Sequence, residues 1–221
     1  MNSFFDVGKF HLAYGPMKSE KSKLIVKMIQ RINLSNKLGQ SISYQLFKPS
    51  VDTRDGPFIV SRGIEGTVTK YPATFISNDK PSDLLSLIKK DTKVIGVDEM
   101  QFFSNTMVYV VQELLKEGYL VVGAGLDLDF KRLPFGAMPQ LINLATNPHY
   151  CTAVCDICGG VAQLTQRLEP DGKTPSSFNE DSLAIQQESC DGNQLVKVKD
   201  YIYQARCYKD YEMWDGPFKT I

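Results

Sequence analysis

Hydrophobic residues in the first 150 positions follow two patterns, short β-rich runs and longer stretches with helical spacing. The β-rich runs are bounded by turn residues and predict strands over residues 10–14, 41–47, 93–97 and 119–126. Strands that alternate with helices build a parallel sheet with helices on both faces. The pattern therefore predicts an α/β domain over residues 1–150.

Helical spacing is clearest in two segments of this domain. Apolar residues fall on one helical face over residues 22–38, and Gly39 follows as a stop signal. A second helix is predicted over residues 107–115, closed by Gly118, and a short one begins near Pro81. The segment 51–66 is rich in Gly, Asp and Arg, which predicts a loop that crosses the mouth of an active site.

Polar residues and glycine follow three of the predicted strands. These residues are Gly15, Asp98 and Asp127. Ligands of open parallel sheets gather at the carboxyl ends of the strands, so we expect the functional site at this edge.

The balance of charge disfavours two classes of binding partner, nucleic acid and anionic membranes. The 221 residues include 25 Lys and Arg against 25 Asp and Glu, so the whole surface offers no strong field for nucleic acid or an anionic membrane. No stretch approaches the roughly 18 apolar residues of a membrane span, and residues 1–10 lack a basic start followed by an apolar run. We expect a cytoplasmic protein without nucleic-acid or membrane partners.

Residues 15–22 resemble a phosphate-binding loop (P-loop), and we call them the phosphate loop. They follow a predicted strand and precede a predicted helix, the context that this motif requires, and they read Gly15, Pro16, Met17, Lys18, Ser19, Glu20, Lys21 and Ser22. Backbone N–H groups and the helix N-terminus would hold phosphate oxygens, with Lys21 on the β and γ phosphates and Ser22 on Mg²⁺. An ordinary strand-to-helix turn that contains Lys-Ser is the alternative.

Glu20 occupies the position where this motif normally has glycine. A side chain at such a backbone conformation costs roughly 1 kcal/mol or more, and a carboxylate repels a triphosphate. The side chain could point to solvent or pair with Lys18, Lys21 or Lys23. We expect the loop to persist with weakened affinity for ATP.

Two acids end the apolar run at residues 94–97. Asp98 can bind Mg²⁺ through water, and Glu99 can accept the proton of a substrate hydroxyl as its oxygen attacks phosphorus. The alternative is that both acids are simply solvated at a strand end. The presence of a phosphate loop in the same chain makes this alternative less favoured.

A series of short motifs runs in order along nearly the whole chain: Gly15-Pro16-Met17, Lys21-Ser22, Lys48-Pro49, Asp52-Thr53-Arg54, Asp98-Glu99, Gln101-Phe102-Phe103, Leu126-Asp127, Phe130, Pro134-Phe135-Gly136, Ala153-Val154-Cys155, Cys158, Thr165, Arg167-Leu168 and Tyr203 with Cys207. In these residues the chain resembles the type II thymidine kinase family, which includes cellular, poxviral and phage members. The run from Lys48 to Asp55 and the spacing of the tail resemble phage-type members most.

The resemblance implies transfer of the γ-phosphate of ATP to the 5′-hydroxyl of thymidine or another pyrimidine deoxynucleoside. It implies Glu99 as the general base and a homotetramer. It also implies four residues in the nucleoside pocket, namely Phe102, Leu126, Phe130 and Tyr203. Arg54, on the 51–66 segment after the second strand, is the expected cation near the transferring phosphoryl group, and it is preferred because it belongs to a matching motif.

A lasso loop closes the base site in this family, and here it is expected to differ. The family carries glycines just before the pocket tyrosine, whereas residues 197–203 contain none. Tyr201 is the alternative to Tyr203 if the register differs, and Arg62 is a second candidate cation on the 51–66 segment.

The five cysteines all lie in the last third of the chain, which suits a metal site better than a disulfide scaffold. Cys155 and Cys158 form a zinc-knuckle half-site followed by two glycines. Cys207 and Asp210 are the expected second half, although the resemblance would place Cys or His at 210, and Cys190 is the rival fourth ligand. We expect a structural Zn²⁺ in a ribbon-like module with the lasso over residues 151–221. Reduced cysteines without a metal are the alternative.

Two other functions remain open at this point. Glu20 and the glycine-free lasso are compatible with a weakened pseudokinase that acts as a binding or assembly protein. A P-loop ATPase acting on nucleic acid is disfavoured by the neutral net charge. Nucleoside-dependent release of ADP separates the three.

Overall fold

The computed structural model describes residues 8–62, 67–182, 200–213 and 215. Within these ranges the strands are β1 (Phe10–Tyr14), β2 (Ser43–Pro49), β3 (Phe58–Arg62), β4 (Val68–Pro72), β5 (Thr74–Ile76), β6 (Thr92–Val97), β7 (Leu120–Gly125), β8 (Asn147–Tyr150), β9 (Ala153–Val154), β10 (Val161–Ala162), β11 (Leu164–Leu168) and β12 (Ile202–Arg206). The α-helices are α1 (Ser22–Lys37), α2 (Asp83–Ser86), α3 (Thr106–Lys116) and α4 (Met138–Leu144), and a 3₁₀ turn spans Met100–Phe102. None of these helices has the length and hydrophobicity that a membrane span needs.

The main sheet is parallel, as the alternating pattern predicts. In the described residues it has six strands in the order β5-β2-β6-β7-β1-β8, and every pairing is parallel. Tyr14 is level with Gly125, and Val97 is level with Gly123. The carboxyl ends of β1, β6 and β7 therefore meet at one edge, where the residues that follow them form the candidate site.

Two hydrophobic cores lie on opposite faces of this sheet. Successive residues of β7 alternate between them: Val121 belongs to the core shared with α3 and α4, whereas Leu120 and Val122 belong to the core shared with α1. The buried face of α1 consists of the predicted apolar residues, with Val26 in addition. Burying such a side chain contributes about 1.5–3 kcal/mol, so packing on the sheet holds α1 behind the phosphate loop.

The prediction of one continuous loop over residues 51–66 is wrong in part. Residues 58–62 form β3, which pairs antiparallel with β4. Ile59 is 1% exposed and packs in the core beside α1, which gives this hairpin an anchor on the domain. Gly56 and Pro57 just before β3 carry the turn character that hides the strand in the sequence.

The C-terminal part consists of small antiparallel sheets. β9 pairs with β10, and β11 pairs with β12. One cluster of buried residues in this part consists of small side chains, namely Ala153, Cys155, Ala162 and Ala205, with Cys207 packed against them, and Leu164 and Leu168 of β11 are buried as well. The boundary at residue 150 stays a prediction.

Candidate active site

The phosphate loop connects β1 to α1. A Cβ atom at Gly15 would lie 2.0 Å from the carbonyl oxygen of Cys151, so only glycine fits where the loop begins. Lys18 and Glu20 have φ angles of 63° and 57°. Glu20 thus adopts the left-handed conformation that favours glycine, as its place in the motif predicts. Its carboxylate pairs with Lys23, one of the three predicted partners.

Lys21 and Ser22 lie at the junction of the loop and the helix. Lys21 Nζ donates to the carbonyl oxygen of Pro16 at 2.5 Å and to Ser19 Oγ at 3.3 Å, so the ammonium is folded into the loop. Burial lowers the pKa of Lys21, and the negative charges of Glu99 and Asp98 oppose that shift. The side chain is in place to meet an anion held by the loop.

Asp98 follows β6 and faces the loop. Its Oδ1 accepts hydrogen bonds from Ser22 Oγ and from the backbone N–H of Glu99, both at 3.0 Å. Burial, and then the neighbouring charge of Glu99, raises the pKa of Asp98 to about 7. A hydroxyl and a carboxylate in contact beside a phosphate loop are oxygen donors that suit Mg²⁺.

Asp127, after β7, is a further, partly buried acid at this edge. Its Oδ1 has no hydrogen-bond partner within the described ranges. Burial raises the pKa of Asp127, partly offset by backbone hydrogen bonds and by the charge of Lys21.

Glu99 is held on both carboxylate oxygens. Arg54 Nη2 donates to Oε1 and Gln101 Nε2 donates to Oε2, each at 2.5 Å. Gln101 Oε1 in turn accepts the backbone N–H of Leu126 at 3.0 Å. Glu99 itself has φ 51°, a conformation that costs energy for a non-glycine residue and often marks a functional position.

Arg54 is oriented by a buried ion pair. Asp52 accepts from Arg54 Nε at 2.8 Å and pairs with Lys48 Nζ at 2.9 Å, and Lys48 is only 2% exposed. The negative charge of Glu99 is the main cause that raises the pKa of Arg54. For Asp52, burial opposes ionisation, but the charges of Arg54 and Lys48 prevail and lower its pKa. Arg54 therefore remains a cation that points at Glu99.

A cavity of about 300 Å³ opens next to Glu99 and Arg54. It is lined by all four residues predicted for a nucleoside pocket: Phe102, Leu126, Phe130 and Tyr203. Tyr201, the alternative to Tyr203, lines it as well. The Phe102 ring meets Phe135 edge-on with centroids 5.6 Å apart, a favourable aromatic geometry that fixes one wall. A pocket of this size with apolar walls suits a small planar ligand.

The four predicted metal ligands, all from the C-terminal part of the chain, lie close together. One ligand atom from each of Cys155, Cys158, Cys207 and Asp210 lies within 4.8 Å of the others. The Cys158 and Cys207 sulfurs are 3.8 Å apart. Two thiolates at about 2.3 Å from a tetrahedral zinc would be separated by roughly the same distance. The donor set therefore fits a structural zinc.

Two comparisons with known proteins identify the family of this chain. The model of the family described as "Thymidine kinase" matches residues 8–211. The chain is also 36% identical to a thymidine kinase of Mycoplasma genitalium over 154 residues, which cover 70% of this chain and 68% of that protein. The chain belongs to the thymidine kinase family. Closeness to phage-type members stays a prediction.

The phosphate loop of this family member is tied to the C-terminal part that carries the cysteine cluster. Lys18 Nζ binds both oxygens of Asp156, at 2.8 and 2.9 Å, and Asp156 lies between Cys155 and Cys158. The backbone N–H of Met17 donates to Thr165 Oγ1 at 3.0 Å. The first half of the loop therefore rests on residues far along the chain.

Several residues of the site make contacts that the sequence alone does not predict. Gln101, Thr165 and Asp52 belong to matching motifs, yet only the fold shows which atoms they hold. Cys190 and residues 197–199 of the lasso lie outside the described residues, as does the side chain of Arg62.

Proposed function

We propose that this protein is a thymidine kinase, which transfers the γ-phosphate of ATP to the 5′-hydroxyl of thymidine and gives thymidine monophosphate and ADP. One observation carries the proposal. The cavity that suits a nucleoside ends at Glu99 and Arg54, next to the phosphate loop and Asp98. A hydroxyl bound there lies between a proton acceptor and a phosphate donor site.

The phosphate loop, residues 15–22, would hold the ATP phosphates. Its backbone N–H groups and the N-terminus of α1 favour anions, and Lys21 supplies a cation. Ser22 and Asp98 would hold Mg²⁺, which neutralises charge on the phosphates when bound.

Glu99 would accept the proton of the 5′-hydroxyl. The nucleoside oxygen forms a bond to the γ-phosphorus while the bond to the bridging oxygen of ADP breaks, and the proton passes to Glu99. Arg54 would stabilise the negative charge of the transferring phosphoryl group. Intact Lys21, Ser22, Asp98 and Glu99 argue against the pseudokinase alternative, although Glu20 still stands at the glycine position of the phosphate loop.

The aromatic walls would bind the pyrimidine. Phe102, Phe130 and Tyr203 give the cavity aromatic surface on which a flat base can stack, and Leu126 adds apolar surface. The proposal extends to a cytoplasmic homotetramer, as the resemblance implies, and sedimentation of the purified protein measures the oligomeric state.

The direct test is phosphorylation of thymidine with ATP and Mg²⁺. We expect ADP release to require a deoxypyrimidine nucleoside and to yield the nucleoside 5′-monophosphate, with a purine deoxynucleoside as the control. ADP release that ignores nucleosides and responds to single-stranded DNA would instead support a nucleic-acid ATPase. Absence of ADP release with every nucleoside would support the pseudokinase.

Structural zinc gives a separate prediction. We expect metal analysis to find about one zinc per chain, because structural sites with preformed thiolates bind tightly. Cys155→Ser should lose the metal and lower the melting temperature by about 5 °C or more, which corresponds to roughly 2 kcal/mol. Cys151→Ser is the matched control, since Cys151 is outside the cluster. Full activity and an unchanged melting temperature in metal-free protein would reject the site.

A further inference from the structure

Arg167 on β11 is a fully buried charge that the proposed reaction does not use. Its side chain is 0% exposed and it does not line the cavity. Its guanidinium carbon lies 3.6 Å from the centroid of the Phe130 ring and 4.2 Å from that of the Tyr201 ring. Both rings line the cavity. Arg167 thus lies behind the aromatic wall, between two rings that a bound nucleoside would meet.

Two hydrogen bonds fix the guanidinium from the side. Arg167 Nη1 donates to the carbonyl oxygen of Asp181 at 2.7 Å, and Nη2 donates to Glu180 Oε2 at 3.1 Å. The hydroxyl of Tyr201 donates to the same oxygen of Glu180. Glu180 therefore links Arg167 and Tyr201 into one cluster. The segment that carries Glu180 leads into the residues that precede the lasso.

The backbone of Phe130 is held separately from its ring. The backbone carbonyl oxygen of Phe130 accepts a hydrogen bond from the hydroxyl of Tyr211. With the backbone held in this way, rotation of the side chain is the freedom that remains. A guanidinium stacked on the ring restricts that rotation.

Stability alone is a poor reason for an arginine at this position. The Nε atom of Arg167 is buried and has no hydrogen-bond partner within the described part of the chain. A buried donor without a partner lowers stability, and well-packed apolar residues often replace buried charges without loss. A planar guanidinium can stack on two rings at once, whereas the ammonium of lysine cannot. The residue type fits a need to hold two rings in place.

We propose that Arg167, with Glu180, is a positioning residue that fixes Phe130 and Tyr201 as the base-binding wall. Arg167 sets the affinity for the nucleoside through these rings and does not touch the nucleoside itself. This inference rests on the proposed function, in that the ligand of the cavity is a pyrimidine nucleoside.

Arg167→Met is the main test, because it keeps length and removes both the charge and the planar fork. We expect the KM for thymidine to rise about fivefold, in line with the loss of a desolvated cation–π contact, while kcat and the KM for ATP stay within about twofold. Calorimetric titration with thymidine alone should show the same loss of affinity. Arg167→Lys restores the charge without two-sided stacking and should fall between wild type and Arg167→Met.

Two further variants sharpen the result. Glu180→Gln keeps the shape but weakens the link between Arg167 and Tyr201, so the KM for thymidine should rise about twofold to threefold. Lys173→Met removes an exposed positive charge from the same segment and is the matched control, with all kinetic constants unchanged.

An unchanged KM for thymidine in Arg167→Met overturns the proposal. So does an equal rise in the KM for ATP, which would mean a general loosening of the fold. If Arg167→Met does not fold, Glu180→Gln decides by the same criterion. A wild-type protein that phosphorylates no deoxypyrimidine nucleoside refutes the proposed function instead, and thymidine titration of the variants still tests the positioning role.

Discussion

Glu99→Gln is expected to reduce kcat by about 10²- to 10⁴-fold, the range that a positioned general base contributes. Thymidine affinity should change less than about threefold, because a proton acceptor lowers the barrier without being needed for binding. Glutamine has nearly the same shape, so the cavity wall stays intact. Single-turnover kinetics with calorimetry on the same sample separates the chemical step from binding.

The hydrogen bonds around Glu99 define the controls. Arg54 and Gln101 each donate to one oxygen of the carboxylate, and a glutamine at 99 can accept only one of the two bonds. Gln101 cannot simply rotate its amide, because its oxygen accepts the backbone N–H of Leu126. Gln101→Leu therefore measures the cost of disturbing the network, which we expect to be tenfold or less in kcat. Glu113→Gln, on the exposed face of α3, controls for the chemical change itself. Near-normal turnover in Glu99→Gln would remove Glu99 from its role.

Local sequence patterns were sufficient to predict the strand ends and the cysteine pair around which the two candidate sites are built. The carboxyl ends of predicted strands located Gly15 and Asp98 on one edge, because parallel strands must end together. The spacing of Cys155 and Cys158, with the resemblance for Cys207 and Asp210, gave a set of ligands that the fold brings within 4.8 Å.

Those local patterns could not predict contacts between distant segments of the chain. Lys18 meets Asp156 across 138 positions, and Gln101 reaches Leu126 across 25, so neither pairing has a local periodicity that could reveal it. Arg167 illustrates the same limit, since one of its two rings, Phe130, lies well before it in the chain and the other, Tyr201, well after it. The β3 strand was hidden for another reason, because Gly56 and Pro57 place turn signals directly before it.

The phosphate-loop motif alone identifies Glu20 as unusual, because the motif normally has glycine there. The structure separates the expected cost of Glu20 into a backbone part and an electrostatic part. The φ angle of 57° is a conformation that costs a non-glycine residue about 1–2 kcal/mol, so the backbone part of the expectation is retained. The carboxylate is half exposed and pairs with Lys23, so its repulsion of the ATP phosphates is partly neutralised and screened by salt. The backbone term should therefore dominate.

Glu20→Gly is expected to lower the dissociation constant of a non-hydrolysable ATP analogue roughly tenfold, which corresponds to about 1.4 kcal/mol. Glu20→Gln removes the charge and keeps the backbone conformation, so it should recover only a small part of the gain, and that part should shrink as salt rises. Lys23→Met releases the carboxylate from its partner and should act in the opposite direction, weakening ATP binding.

Calorimetric titration of the three variants, with a thermal melt of each, identifies where the backbone energy goes. If nucleotide binding imposes the backbone strain, Glu20→Gly lowers the dissociation constant of the ATP analogue. If the strain is already present in the folded protein, Glu20→Gly raises the melting temperature instead. An ATP analogue bound no more tightly by Glu20→Gly than by wild type would contradict the expected gain in affinity. If the melting temperature also failed to rise, Glu20 would fit the left-handed position without strain, and its pairing with Lys23 would be sufficient to explain why a glutamate is compatible with a phosphate loop.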